Sequence, residues 1–339
     1  MLVLRPVAPD DLPELQRLAR ESLVGVTSLP DDRQHLLDKI LDSCASFAAS
    51  VQAPGPENYF FVLHDQARDQ LRGCSEILAM AGYRTPFYSL RNRPFISNSR
   101  ELNVQHGVPT LSLCQDLSNH SLLRGFHIDA DLVGSPVAEL LSRARLLFIA
   151  AHGSRFADTS ITEIVGYSSD DGHSPFWDAL GKHFFDLPYV EAERLCGLQS
   201  RSFLADLMPQ YPIYIPMLPK AAQDCIGQVH PQGREAYEIL LREGFEANHY
   251  VDLFDGGPTL YARHSGIRSI RHSLLAKASP GGQQSGNGRA WLASNERLGQ
   301  YRAALVHLDE APGDRVELDA QTLQALHLLP GDPVRLVAL

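Results

Sequence analysis

Residues 229–246, VHPQGREAYEILLREGFE, decide the fold. Pro231 sits where a helix start tolerates a missing N–H, and an apolar pair, Leu240 and Leu241, follows with a basic residue behind it. Gly244 closes the helix as a C-cap, and Phe245 opens a strand. The next stretch, HYVDLFDGGPTLYAR (249–263), reads as a strand pair joined by an Asp-Gly-Gly-Pro turn. A helix that hands over to an antiparallel pair points to α+β rather than to a regular βαβ repeat. His230, at the helix entrance, poses a question: it serves either as a cap or as a proton carrier.

Working outward, LVLRPV (2–7) reads as a strand, and residues 10–22 and 31–48 read as two helices. YFFVLHD (59–65) and LRGCSEILAMAG (71–82) read as adjacent strands. PTLSLCQDL and LLRGFHID supply two more strands within 101–128. VAELLSRARLLFIAAH (137–152) is a helix with Arg143 and Arg145 interleaved among apolar residues. TSITEIVGYS (159–168) is a strand, and SPFWDALGKHFFDL (174–187) a helix with a Ser-Pro start. The resulting order predicts a mostly antiparallel central sheet. An acyltransferase-sized unit over residues 1–275 carries an insertion near 188–228. Residues 276–288 read as a Gly/Ser/Gln-rich linker, and 289–339 as a small C-terminal β-rich module.

The 339 residues suffice for a large core, with 44% apolar and 21% charged residues. A net charge of −10 argues against nucleic acid or an anionic membrane as partner. Five widely spaced cysteines without a CxxC pair suit reduced thiols in a cytoplasmic protein and offer no zinc site. No signal peptide or membrane span is expected.

A series of short words then carries a resemblance that runs along nearly the whole chain: TSLP (27–30), ELNV (101–104), PTL (109–111), SPFW (174–177), LGKHFF (180–185), ADLMP (205–209), YPIY (211–214), IGQVHPQ (226–232), EGF (243–245) and DLFDGGPTL (252–260). Together they resemble the arginine N-succinyltransferase family, which is related to the GNAT acyltransferases. VGVTSLPDD, SEILAMAGY and EIVGYS are most similar to the alpha subunit of its two-subunit arginine/ornithine form. The resemblance implies a GNAT-like acyltransferase fold. It implies transfer of succinyl from succinyl-CoA to the α-amino group of arginine or ornithine, the first step of an arginine breakdown pathway. It also implies a paralogous beta subunit as partner. The alternative is a catalytically weak subunit that supports a competent paralogue.

Amide formation from a thioester requires a neutral amine, donors for the tetrahedral oxyanion, and a proton for the departing thiolate, whose pKa resembles the roughly 8.5 of cysteine. On its residues alone His230 reads as a loop cap. The IGQVHPQ match implies that it is the general acid. Phe126, in LLRGFHID, stands where the family contacts succinyl-CoA from a central strand; an ordinary core Phe is the other reading. The diphosphate turn of GNAT enzymes aligns with VGSPVA (133–138), where only Ala138 fits and Pro136 removes a donor. Arg143 is then a candidate for the phosphates. For the arginine guanidinium, Asp252, Asp255 and Asp116 are candidates, or else solvated turn acids. Arg91 and Arg100 are candidates for the succinyl carboxylate, and Thr27 and Ser28 lie in an early loop suited to acceptor contacts.

Overall fold

The computed structural model describes residues 1–22, 26–169, 171–198, 207–208, 210–281 and 288–339. The first half of the chain contains β1 (Leu2–Pro6), α1 (Leu12–Glu21), α2 (Arg33–Ala48), β2 (Asn58–Asp65), β3 (Gln70–Leu78), β4 (Ser89–Ser99), β5 (Val104–Cys114), β6 (Ser121–Ile128), α3 (Pro136–Ala151) and β7 (Thr159–Glu163). There follow α4 (Pro175–Ala179), α5 (Lys182–Phe185), α6 (Tyr189–Leu198), β8 (Ile213–Tyr214), α7 (Lys220–Cys225), α8 (Arg234–Arg242), β9 (Glu246–Val251), β10 (Pro258–Arg263) and α9 (Arg268–Arg271). The C-terminal part holds β11 (Leu274–Pro280), β12 (Arg289–Asn295), β13 (Ala303–Leu308), β14 (Arg315–Leu318), α10 (Ala320–Ala325) and β15 (Pro333–Ala338). Among the described residues these strands form one sheet, ordered β14-β11-β15-β12-β13-β1-β2-β3-β6-β7-β10-β9-β4-β5-β8. Every pairing is antiparallel except β6 with β7 and β11 with β14. The mixed α/β architecture with a mostly antiparallel open sheet is the one the sequence leads one to expect.

The deciding stretch folds as read. A single 3-10 turn, Pro231–Gly233, leads into α8, which buries Ala236, Ile239 and Leu240. Gly244 has φ +99°, and a Cβ there would meet the Gly266 carbonyl at 2.9 Å, so glycine ends the helix for two reasons.

The structure differs from the sequence reading at three places. SPFWDALGKHFFDL is two short helices, α4 and α5, rather than one. Gly181 packs on the face of Trp177, where a Cβ would stand 2.3 Å from the indole, and Leu180 leaves helical geometry at the break. The stretch that becomes β4 carries Pro94 and little apolar alternation. It pairs along all of its length with β5 to form a hairpin arm that exposes Phe95, Ile96, Leu102 and Val104. Finally, residues 276–280, expected at the head of a linker, belong to strand β11, which pairs with β14 and β15. The rest of that expected linker, 282–287, lies outside the described residues. β13 pairs with β1 and thereby fuses the C-terminal strands to the main sheet.

The feature that shapes the molecule for function lies between β6 and β7. These parallel strands pair only at Ser121–Leu122 with Ser160–Ile161 and then part. The cause is a bulge. Between the pairs Cys74–His127 and Glu76–Arg124, two β6 residues, Gly125 and Phe126, oppose the single residue Ser75 of β3. Gly125 takes φ +62°, the conformation a bulge asks of glycine. The extra residue bends β6 away from β7 and leaves residues 123–128 without a strand partner on that side.

Two buried ionic centres brace this arrangement. Glu76, fully buried, accepts from Lys39 Nζ at 2.9 Å and Asn58 Nδ2 at 3.0 Å, and Arg124 Nε lies 3.0 Å away. Burial pushes its carboxyl upward, but Arg124 and Lys39 outweigh that and hold it down at about 2. On α3, Arg143 pairs with Glu243 at 2.8 Å, both 1% exposed, and donates to the Ala338 carbonyl. Ser269 N–H donates to the other Glu243 oxygen at 2.6 Å.

Removing one partner of a buried pair strands the other charge, at about 3–5 kcal/mol. Arg143→Met is expected to lower the unfolding free energy by that order in urea melts, and Arg143→Met/Glu243→Gln to regain part of it. An Arg143→Met melt that matches wild type would remove the pair from the list of braces. The depressed Glu76 carboxyl contributes stability that is full above its ordinary value of 4.5 and is lost as pH falls from there through about 2. Wild type therefore loses stability across that window more steeply than Glu76→Gln; parallel curves would mean that Glu76 is not ionised in the native state.

Candidate functional site

The parting of β6 and β7 opens into a cleft of about 980 Å³. One wall is β6 and the segment after it, residues 122–130. The other is the end of β7 and its continuation, Thr162–Val165. The first turn of α8, the α2 face bearing His35 and Lys39, and the Asp252–Asp255 turn between β9 and β10 complete it.

Phe126 sits in the bulge itself and lines the cleft while packing partly on the core. Arg145, only 2% exposed, lies with its guanidinium 5.9 Å from the Phe126 ring centre. It donates to the Ser142 carbonyl at 3.1 Å and to the Arg124 carbonyl at 3.4 Å. Burial draws its pKa down to about 10, against the pull of Glu76 and Cys74, so it remains a cation at neutral pH. Lys39 also lines the cleft, and its ammonium additionally reaches the Ser28 carbonyl. With Arg124 and His35, these residues place several basic side chains around one end of the bulge.

His230 lies immediately behind the opposite wall. It is 7% exposed, and its N–H donates to the Val165 carbonyl at 2.9 Å, next to the Gly166–Val229 bridge. Nδ1 accepts from the Gln232 N–H at 3.3 Å, which puts the proton of a neutral ring on Nε2. Val165, Pro231, Gln232 and Gly233 line the cleft, and His230 adjoins them through its bonds to Val165 and Gln232 without lining it itself. The cap role read from the sequence is thus present, and the site geometry adjoins it.

Asp252 and Asp255 both line the cleft and are buried. Asp252 Oδ1 accepts from the Phe254 N–H at 2.7 Å; Asp255 accepts from Gly166 N–H at 2.7 Å and Gly257 N–H at 2.8 Å. Burial and the neighbouring Asp252 raise Asp255 to about 7, in spite of those N–H donors. Glu193 of α6 brings a third carboxylate, and oxygens of the three lie within 4.8 Å of one another. They are not solvated turn acids. A concentration of buried carboxylates of this kind favours a cation, and a guanidinium or ammonium supplies one.

Other sequence candidates go elsewhere. The Ala138 methyl is fully buried in the core, its N–H donates to the Ser135 carbonyl at 3.1 Å, and it does not line the cleft. Arg143 is consumed by Glu243 and the chain around residue 338 and does not face the cleft either. Arg91 pairs with Asp116 beside Tyr250, away from the cleft, and Arg100 stands at the hairpin tip. Thr27 and Ser28 do line it. The charged residues lining the cleft that the sequence reading did not single out are Lys39, Arg124, Arg145 and Glu193. Lys39 and Arg145 carried a signal, since each interrupts an otherwise apolar helix face; Arg124 and Glu193 carried none.

Residues 2–269 match the family model described as arginine N-succinyltransferase beta subunit, and residues 275–338 match the model for the C-terminal domain of that beta subunit. A relative from Pseudomonas aeruginosa, named arginine N-succinyltransferase subunit alpha, is 55% identical over 338 residues, covering 100% of both chains. Arginine N-succinyltransferase of an Escherichia coli strain is 38% identical over 100% of this chain and 98% of its own. The solved structure of arginine/ornithine succinyltransferase subunit AI from Pseudomonas aeruginosa superposes with a TM-score of 0.93 at 52% identity, covering 100% of this chain and 98% of that one. With both parts of the chain matched and full-length relatives at such identity, the protein belongs to the arginine N-succinyltransferase family.

Proposed function

We propose that this chain transfers succinyl from succinyl-CoA to the α-amino group of arginine, and of ornithine, by direct attack of the amine on the thioester. The observation that carries the proposal is the charge layout of one cleft. Basic side chains (Lys39, Arg124, Arg145) and buried acids (Glu193, Asp252, Asp255) line the same space as the bulged strand. A succinyl group ends in a carboxylate and arginine in a guanidinium, so the two reactants need opposite charges from one site.

In this reading the pantetheine arm enters between β6 and β7, where the main chain around Phe126 has no strand partner. Main-chain N–H groups on that side polarise the thioester carbonyl and hold the oxyanion. Asp252 and Asp255 take the cationic end of the acceptor, and Arg145 or Arg124 takes the succinyl carboxylate. The amine attacks, the C–N bond forms and the C–S bond breaks. The thiolate leaves and takes a proton from His230 Nε2–H at the wall beside Val165, and the extra proton of the new amide nitrogen passes to the ring, so that His230 ends neutral as it began. The bound cation lowers Asp255 from about 7, so acceptor binding near neutral pH releases a proton.

A paralogous beta subunit is the proposed partner. The subunit names of the relatives support it, as does the hairpin arm β4–β5, whose exposed Phe95, Ile96 and Leu102 are out of place on an isolated two-stranded ribbon. Among the described residues no helix is long and apolar enough to cross a membrane, and a cytoplasmic site of action is part of the proposal.

A thiol-release assay with succinyl-CoA and arginine, on the chain alone and with its partner, tests the activity; silence in both states refutes it. His230→Ala is expected to lower kcat by about 10²–10⁴ with little change in the KM for either substrate. Unchanged turnover in the two-subunit enzyme would instead assign the chemistry to the paralogue. Asp252→Asn and Asp255→Asn are expected to raise the KM for arginine by about tenfold or more while leaving that for succinyl-CoA alone. An equal rise in both would mean that the acids hold the fold rather than the substrate.

A further inference from the structure

We propose that the Glu235 carboxylate is a displaceable occupant of the diphosphate turn, and that CoA must expel it to bind. The proposal rests on the acyl-CoA reading above and names the residue that sets the affinity of that same site.

The turn at 133–138 joins the β6 segment to α3. Its donors are spent internally. Val133 N–H donates to the Ala130 carbonyl at 3.4 Å, Ser135 N–H to the Leu132 carbonyl at 3.2 Å, and Ala138 N–H to the Ser135 carbonyl at 3.1 Å. Val137 N–H donates to Ser135 Oγ at 3.3 Å, and Pro136 has no N–H. That leaves Gly134. Its N–H is the one donor of the turn whose partner comes from a distant part of the chain, and it meets both oxygens of Glu235, each at 2.8 Å. Gly134 has φ +76° with open space where a Cβ would project, so an incoming group can approach its main chain.

A carboxylate held on a main-chain N–H before a sixteen-residue helix stands in for a phosphate oxygen. Glu235 is suited to give way. It lies in the first turn of α8, lines the cleft, is only partly buried, and has no ion-pair partner among the described residues. While it remains, a diphosphate meets a like charge at the donor it needs. Once it swings out, Gly134 N–H is available. The departure of this turn from the GNAT pattern thus has a counterpart 101 residues away in sequence, in the other wall of the cleft.

The test is calorimetric titration of the full chain, and of Glu235→Ala and Glu235→Gln, with CoA and with pantetheine, which lacks the nucleotide and its phosphates. Glu235→Gln preserves the side-chain size, so a folding defect in the alanine variant does not end the test. Both variants are expected to bind CoA about three- to tenfold more tightly than wild type, the range set by one charge at a helix start. Pantetheine affinity stays the same. Equal or weaker CoA binding in both variants overturns the proposal, as does a gain that pantetheine shares. If no form binds CoA, the acyl-CoA reading falls with it; if all forms bind alike, only the role of Glu235 falls.

Discussion

The contact between Gly125 and the buried carboxylate of Glu76 is the constraint on which the site depends. A Cβ at Gly125 would stand 3.0 Å from Glu76 Oε1, tighter than ordinary packing allows. A larger residue there would crowd the carboxylate, and glycine in turn accepts at no steric cost the left-handed conformation that the bulge requires. The bulge bends β6, the bend opens the space beside β7, and the space is the cleft. Glu76 is not a passive neighbour. Its charge is what keeps Lys39 and Arg124 drawn to this end of the sheet, so the carboxylate that shapes the strand also sets the basic character of the wall. Sheet geometry and site electrostatics share one buried group.

Helix α3 shows how position divides like residues into different tasks. Arg143 and Arg145 stand two residues apart and are equally buried, but they leave the helix in different directions. Arg143 meets a buried acid, Glu243, and ties α3 to the end of α8 and to the last strand. Arg145 meets carbonyls, a hydroxyl and a ring, and no acid lies within ion-pair distance of it among the described residues. A guanidinium whose charge is compensated braces the fold. One that has hydrogen-bond acceptors and a more distant carboxylate, Glu76, but no ion pair of its own can still receive an anion from the cleft beside it.

Much of the fold was legible because it is local. The helices at 12–21 and 33–48, the strands at 58–78 and the helix-to-strand handover after Gly244 all follow from spacing, caps and glycine geometry. β4 was not legible, because an exposed arm has no buried face to impose alternation and contains Pro94. The broken helix at Leu180 was hidden because its cause, the Trp177 ring over Gly181, is a contact between side chain and main chain that helix propensities do not register. The site was legible only in part, for the same reason. His230, Phe126, Asp252 and Asp255 stood in recognisable words. Arg124 and Glu193 join one lining only when α6 and β6 face one space, and no spacing in the chain announces that. Arg143, a candidate for the phosphates, is taken up by Glu243, whereas Arg145 lines the cleft; two residues on one helix differ in outlook, not in type.

The phosphate turn makes the same point about long-range partners. Judged against the GNAT pattern, Val133 and Pro136 look like losses, and losses suggest a disabled site. In the folded chain the turn is complete: each donor within it has an acceptor, and the single donor left over is met by a carboxylate from α8. A matched carboxylate satisfies the donor without a ligand, which favours a site whose empty state is itself stabilised. Affinity for a phosphate-bearing ligand is then the difference between two occupied states, Glu235 in and Glu235 out, rather than the strength of the turn alone.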